Sequence, residues 1–322
     1  MAQPLVSILI PVYNRETLIG PCIQSALEQT VTDIEIIVVD NASTDDTWEV
    51  CQSYAQKDSR VRIFRNAENL GPVRNWQRCI TEARGVYGKI IFSDDLIHTQ
   101  YLEKTVPMLK ETTAFVFSTV CIGAEEWHGK DFYKYQNNTG IIPTTVYIKD
   151  CLFQRVLPVS PGCALFRLND LQRNLCFEIP SPTISDFDKH GAGPDLLLFL
   201  LTATQYENIA FIDETLVFFR SHQGSITTSD KFGHLEKCYF QAKIWFAKTY
   251  TEEQYVDDLL IARWLLESRK GKKIISYEKF TAQYLTGGRK IQPYLLLKTI
   301  INSYKVKFKK ILIAINMGVN SL

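Results

Sequence analysis

The chain has 322 residues, a formal net charge of +1, and 46% hydrophobic and 22% charged residues. That ordinary globular composition suits one large domain, or one domain with an appendage, and argues against a dedicated nucleic-acid binder. No run of about 18 uncharged apolar residues predicts a bilayer-spanning helix, and the start lacks the basic and long apolar segments of a signal peptide. Eight cysteines (Cys22, Cys51, Cys79, Cys121, Cys151, Cys163, Cys176 and Cys238) show no C-x-x-C and no metal-ligand spacing. They read as small core hydrophobes in a reducing compartment.

Val6–Pro11 is an apolar strand, and residues 16–28 then place Leu18, Ile19, Cys22, Ile23, Ala26 and Leu27 on one helical face. Ile34–Val39 is a second strand ending at Asp40. Ser43 and Asp46 have capping-box spacing ahead of a helix carrying Trp48, Cys51 and Ala55. Val61–Phe64 gives a short third strand; Val73, Trp76, Ile80 and Ala83 mark the next helix. Lys89–Phe92 is a buried strand running into Ser93-Asp94-Asp95. Repeated strand–helix units predict a doubly wound, mainly parallel α/β sheet, with ligand groups at the carboxyl ends of its strands. Beyond residue 113 come a long strand over Ala114–Ile122 and an aromatic, irregular stretch over 123–150. Short strands follow at Ala164–Phe166 and Leu216–Phe219, and the chain from about residue 231 is helical.

Two adjacent carboxylates at a buried strand end cannot comfortably both stay ionised and dry, so they call for a cation or a dense set of donors. Mg²⁺ prefers one or two carboxylates plus substrate phosphates, which makes a metal-bound diphosphate the economical reading; a solvated Asp-Asp loop or helix cap is the plain alternative. Asp40 suits ribose in a dinucleotide fold, or simply a turn. A dinucleotide site fails because Pro11-Val12-Tyr13-Asn14-Arg15 has no glycine where pyrophosphate must approach the backbone. Tyr13 can instead face a base. Arg74, near the start of its helix, suits a diphosphate or serves as a surface arginine.

Four segments carry a family resemblance: Ser7–Arg15 (SILIPVYNR), Ile36–Asp45 (IIVVDNASTD), Asn69–Asn75 (NLGPVRN) and Ser93–Asp95 (SDD). Together they resemble family-2 glycosyltransferases of the GT-A fold, with weaker matches to about residue 226. The resemblance implies a nucleotide-sugar donor (UDP by default), Mn²⁺ or Mg²⁺, and inversion at the anomeric carbon. By analogy Pro11, Tyr13, Asn14, Asp40, Arg74 and Asp94 surround the donor, and Asp95 is the principal metal ligand with Asp94 and His222. The family often carries its Arg-Asn pair slightly further from the glycine than Arg74-Asn75.

The family's base is an acidic residue just before an apolar helix, often as Glu-Asp. Asp195 has that position here, although Pro194 replaces the preceding acid and Pro-Asp also favours any helix start. Asp186 and Asp188 are the competitors. An ordinary carboxylate pKa near 4 would leave Asp195 ionised at neutral pH. Arg220-Ser221-His222 resembles the family's Arg-x-His segment, Arg220 being equally suited to pair with a carboxylate. Leu157–Gly162 is a proline-shaped loop suited to an acceptor. His98, His128, His190 and His234 show no ligand spacing and receive no role.

After Glu278 there is no acidic residue, while Lys298, Lys305, Lys307, Lys309 and Lys310 interleave with Leu295, Leu296, Ile300, Ile301, Tyr304, Phe308, Ile311, Leu312 and Ile315. That pattern suits an anionic membrane surface, or a packing helix with a solvated lysine face. The expected organisation is a catalytic domain over 1–230, with a nucleotide-sugar half over 1–113 and an acceptor half over 114–230, and a helical region over 231–322. The expected activity is transfer of a sugar to a hydroxyl of a glycan or lipid-linked glycan in bacterial surface polysaccharide assembly, at the inner face of the cytoplasmic membrane. A nucleotidyltransferase, or a non-catalytic sugar-nucleotide binder, is the alternative.

Overall fold

A computed structural model describes residues 3–135, 138–153, 158–222, 233–269 and 275–301. Strand β1 (Val6–Val12) is buried along its whole length, as a central parallel strand covered on both faces must be. Helix α1 (Ile19–Leu27), β2 (Ile34–Asp40), α2 (Thr47–Lys57), β3 (Val61–Arg65), α3 (Pro72–Glu82) and β4 (Tyr87–Ile90) follow in strict alternation. β1 lies between β2 and β4, with β3 outside β2, and all three pairings are parallel. Ser7, buried in β1, donates to Glu35 at 2.6 Å and accepts from the Gly85 N–H at 2.8 Å. Glu35 also accepts from Arg62 at 2.7 Å and the Arg84 N–H at 2.6 Å, so this carboxylate is paired as well as hydrogen-bonded.

The remaining elements are β5 (Leu96–Ile97), α4 (Tyr101–Thr105), β6 (Thr113–Glu125), β7 (His128–Phe132), β8 (Gly140–Pro143), α5 (Thr144–Phe153), β9 (Ala164–Arg167), α6 (Leu168–Asn174), α7 (Pro194–Ala203), β10 (Asn208–Arg220), α8 (His234–Tyr250), α9 (Glu253–Arg269) and α10 (Tyr277–Thr281). The sheet runs β3-β2-β1-β4-β9-β6-β10-β5, with β7 on β6 and β8 on β10. β9 is antiparallel to both β4 and β6, and β10 is parallel to β6. Two reversals restore the original direction, so β10 ends at the same edge of the sheet as β1, β2 and β4. This is the expected doubly wound sheet with helices toward its C-terminus.

Two local expectations change. Ser43 does not cap α2: its hydroxyl donates to Asp40, and the helix starts later, where the Thr47 N–H donates to Asp45 at 3.1 Å. The stretch 123–150 is not irregular, for it holds the β6–β7 hairpin, β8 and α5. β7 is exposed at every position and has no apolar alternation to announce it.

The chain divides into one unit of residues 1–179 and 186–242 and a second of 180–185 and 243–322. The first is organised around Phe115, whose ring lies 5.3 Å from Tyr147, 5.4 Å from Phe166 and 4.8 Å from Phe199. All ten residues of α7 are buried, as befits a helix apolar on every side. In the second unit Arg289 bonds Asp257 at 2.6 Å and pairs with Glu253, while the Trp264 indole donates to the Ile275 carbonyl at 3.0 Å. No helix among the described residues is long and apolar enough to cross a membrane. Tyr304, Lys305, Lys307, Phe308, Lys309, Lys310, Ile311, Leu312 and Ile315 of the basic tail lie outside the described residues, as does Leu157.

Phe115→Ala should lower the unfolding free energy by about 3–5 kcal/mol, the usual cost of deleting a buried aromatic side chain. Chemical denaturation checks this, with Phe132→Ala, at an exposed position, expected to change it by under about 1 kcal/mol.

Candidate active site

β2 delivers Asp40, whose side chain is fully buried. It accepts from the Ser43 N–H at 3.1 Å and from the Ser43 hydroxyl, and Arg65 Nε lies 3.0 Å away. Asn14, at φ 50°, donates its backbone N–H to Ser43 Oγ at 2.9 Å and accepts from the Thr44 N–H at 2.9 Å. These bonds join the β1–α1 and β2–α2 turns. Pro11 is buried inside β1, and the exposed group at this edge is the Tyr13 ring.

The carboxylate pair does not end a strand as expected: β4 stops at Ile90, short of Phe92, and Asp94 and Asp95 lie at the turn that follows it. Asp95 is 6% exposed, and its Oδ1 accepts from the Arg220 N–H at the end of β10 at 3.0 Å. The Arg220 guanidinium donates to the Asp94 carbonyl at 3.2 Å and to Glu126 at 2.6 Å. Asp94 Oδ2 lies 2.7 Å from His222 Nε2 and 3.9 Å from Arg15 Nε. Burial first, and Asp94 second, push the Asp95 carboxyl well above the usual carboxylate range; the Arg220 N–H and the charges of Lys89 and Arg220 work the other way. Lys89 is itself wholly buried. It donates to the Gly162 carbonyl and sits 4.3 Å from the centre of the Tyr101 ring, and burial lowers its pKa to about 7.

Arg74 Nε donates to Asp188 at 2.7 Å, and the half-exposed guanidinium lies over Phe177. Asp195 is buried at the first turn of α7. One oxygen accepts from the Gly193 N–H at 2.9 Å and the Leu196 N–H at 2.6 Å, and the other accepts from the Tyr239 hydroxyl of α8. The expectation of an ordinary pKa fails, because burial outweighs those three bonds and pushes Asp195 up to about 7. Gly191 and Gly193, at φ 76° and 104°, turn the chain into α7 under the Trp76 and Phe187 rings; a Cβ on Gly191 would come within 2.8 Å of Trp76. Trp76 in turn lies 5.6 Å from Phe92, two residues before Asp94.

Sequence reasoning missed Arg15, Lys89, Tyr239, His190 and His234. Lys89 sits in a strand that reads apolar around it, and a lysine there signals a buried partner. Asp186, unlike Asp195, is held below the usual range by its contacts with His190 and His234, which outweigh desolvation. Pro161–Cys163, in the loop assigned to an acceptor, is a buried single turn.

Residues 7–175 match the family model described as glycosyl transferase family 2. The glycosyltransferase GlyG of Streptococcus pneumoniae serotype 4 is 26% identical over 229 residues, covering 70% of this chain and 74% of that protein. The Campylobacter jejuni GalNAc(5)-diNAcBac-PP-undecaprenol beta-1,3-glucosyltransferase is 32% identical over 131 residues, which is 40% of this chain and 42% of that one. The crystal structure of S. aureus TarS 1-349 in complex with UDP-GlcNAc superposes with a TM-score of 0.64 at 16% identity, covering 92% of this chain and 79% of TarS. That likeness is one of fold.

Asp95 stands where burial and a like charge oppose its ionisation, so it contributes little to stability. Asp95→Asn should melt at or above the wild-type temperature at pH 8 in the absence of divalent ions, as measured by calorimetry. A large drop would make Asp95 a structural residue.

Proposed function

We propose, for a chain that belongs to glycosyl transferase family 2, an inverting transfer of a sugar from a nucleotide-sugar donor to a hydroxyl of a glycan or lipid-linked glycan. That it is a glycosyltransferase follows from the family; the donor, acceptor and residue roles are our reading. The observation that carries it is the meeting of Asp94, Asp95, Arg220, His222 and Arg15 at the carboxyl ends of β4 and β10. The UDP-GlcNAc held by TarS supports a UDP-sugar, and the undecaprenol-linked acceptor named for the Campylobacter relative supports a lipid-linked one.

Two carboxylates in the turn after β4 and one imidazole just past β10 form an oxygen-rich set that fits Mg²⁺ or Mn²⁺. Asp95, with Asp94 and His222, would hold the cation, which supplies Lewis-acid neutralisation of charge on the departing diphosphate. Arg15 adds a positive charge beside Asp94, and Tyr13 offers a ring face to the base. Asp195 removes the proton from the acceptor hydroxyl as that oxygen attacks the anomeric carbon. Its pKa near 7 is close to the working pH, which is where a general base is most effective. Asp186, lowered instead, is the weaker base. A nucleotidyltransferase would want a glycine-rich phosphate loop after β1, where Pro11–Arg15 stands. The presence of Asp40, Asp94, Asp95 and Asp195 together weighs against a non-catalytic binder. The basic residues after Glu278 suit a peripheral position on the inner face of the membrane, beside a lipid-linked acceptor.

Chelation with EDTA should abolish transfer, and Mn²⁺ or Mg²⁺ should restore it; full activity in excess chelator would remove the cation from the account.

kcat should rise with pH through about 7 as Asp195 loses its proton. The unfolded chain releases that proton near pH 3.9, so native Asp195 binds the extra proton between these values and its contribution to stability falls as pH rises through them. Asp195→Asn should keep donor affinity, flatten the pH profile and reduce kcat by about 10²–10⁴-fold. A near-normal rate would move the base to Asp186 or Asp188.

A further inference from the structure

Asp186 and His190 flank the single turn Phe187–Lys189, four residues apart, and His234 and Cys238 are four apart on the first turns of α8. On α8 that spacing puts His234 and Cys238 on one face. Asp186 Oδ2 lies 3.0 Å from His190 Nε2 and 3.2 Å from His234 Nε2, and the two imidazoles meet edge to face at 5.1 Å. The buried Cys238 Sγ is 3.5 Å from His234 Nε2. Three ligand atoms, from Asp186, His190 and His234, thus lie within 4.8 Å of one another on two elements far apart in sequence, and Cys238 is outside that group.

The separations match a tetrahedral cation site. Zinc bonds of about 2.0–2.1 Å to nitrogen or oxygen put neighbouring N and O donors about 3.3 Å apart. The observed 3.0 and 3.2 Å from Asp186 to the two imidazoles fall within a few tenths of an ångström of those edges, which makes three corners of a tetrahedron and leaves the fourth to water. Without a cation, both Nε2 atoms must carry protons to face one carboxylate oxygen. With one, those protons leave, and the same atoms present lone pairs.

We propose that Asp186, His190 and His234 bind a zinc-class divalent cation, at a site separate from the donor carboxylates. The charges acting on Asp95 are Asp94, Lys89 and Arg220, whereas those acting on Asp186 are His190 and His234. The ligand chemistry differs too: two imidazoles suit zinc or cobalt, while a carboxylate pair suits magnesium or manganese. The site ties the first turn of α8 to the segment leading into α7. Tyr239, next to Cys238, donates to Asp195, so the cation holds the base's hydrogen-bond partner in place. It is a positioning site: that role rests on Asp195 as the base proposed above, whereas the binding of the cation itself does not.

The test titrates chelator-treated, full-length protein with Co²⁺ and follows the absorption spectrum. One equivalent should give intense tetrahedral visible bands. His190→Asn/His234→Asn should lose them, and Asp95→Asn should keep them. Zn²⁺ should raise the melting temperature of the wild type and leave that of the double variant unchanged. A weak octahedral spectrum only, or bands that survive the double substitution, would overturn the proposal. Asp186→Asn, expected to weaken the bands, decides the matter should the double variant fail to fold, and unchanged bands there would equally overturn it.

Discussion

Two carboxylates on successive residues, in the turn that follows a strand in the middle of a sheet, repel one another where water is scarce. The structure opposes that repulsion without abolishing it. Arg220 reaches from β10 with its backbone N–H on Asp95 and its guanidinium on the Asp94 carbonyl; Lys89 lies buried beneath, and Arg15 and His222 approach Asp94. Arg220 and His222 could not reach the pair if β10 ended at the far side of the sheet. The double reversal through β9 is what returns it, so sheet topology and site electrostatics are one arrangement seen at two scales.

Asp195 rests on the opposite balance. Desolvation raises its pKa, three hydrogen bonds lower it, and the outcome lies near neutrality instead of at either extreme. A carboxylate with more donors would stay ionised but be a poor base; one with fewer would hold its proton. Gly191 and Gly193 allow the chain to enter α7 closely packed under Trp76 and Phe187, and the Trp76–Phe92 contact carries that packing toward Asp94.

Much of this was legible in the sequence. Mostly apolar strands such as Ile34–Val39 and the strand-end position of Asp40 follow from periodicity, and four ordered motifs are enough for the family. What was illegible shares a cause. The tuned pKa of Asp195 comes from its burial and from Tyr239, and the pairing of Arg74 comes from Asp188, both distant in the chain. β7 leaves no signal because every residue is exposed, and Ser43 serves Asp40 instead of α2 because a buried carboxylate competes harder for a hydroxyl than a helix end does. His190 and His234 lack mutual spacing in sequence and meet only through the fold.

The central claim is that the paired carboxylates act with a cation on the donor's diphosphate. Calorimetric titration of UDP into wild-type protein, with and without Mn²⁺, tests it without any acceptor or turnover. The account predicts that Mn²⁺ tightens UDP binding in the wild type and makes no difference in Asp95→Asn. UDP affinity indifferent to Mn²⁺ in the wild type, or equally enhanced in Asp95→Asn, would contradict it.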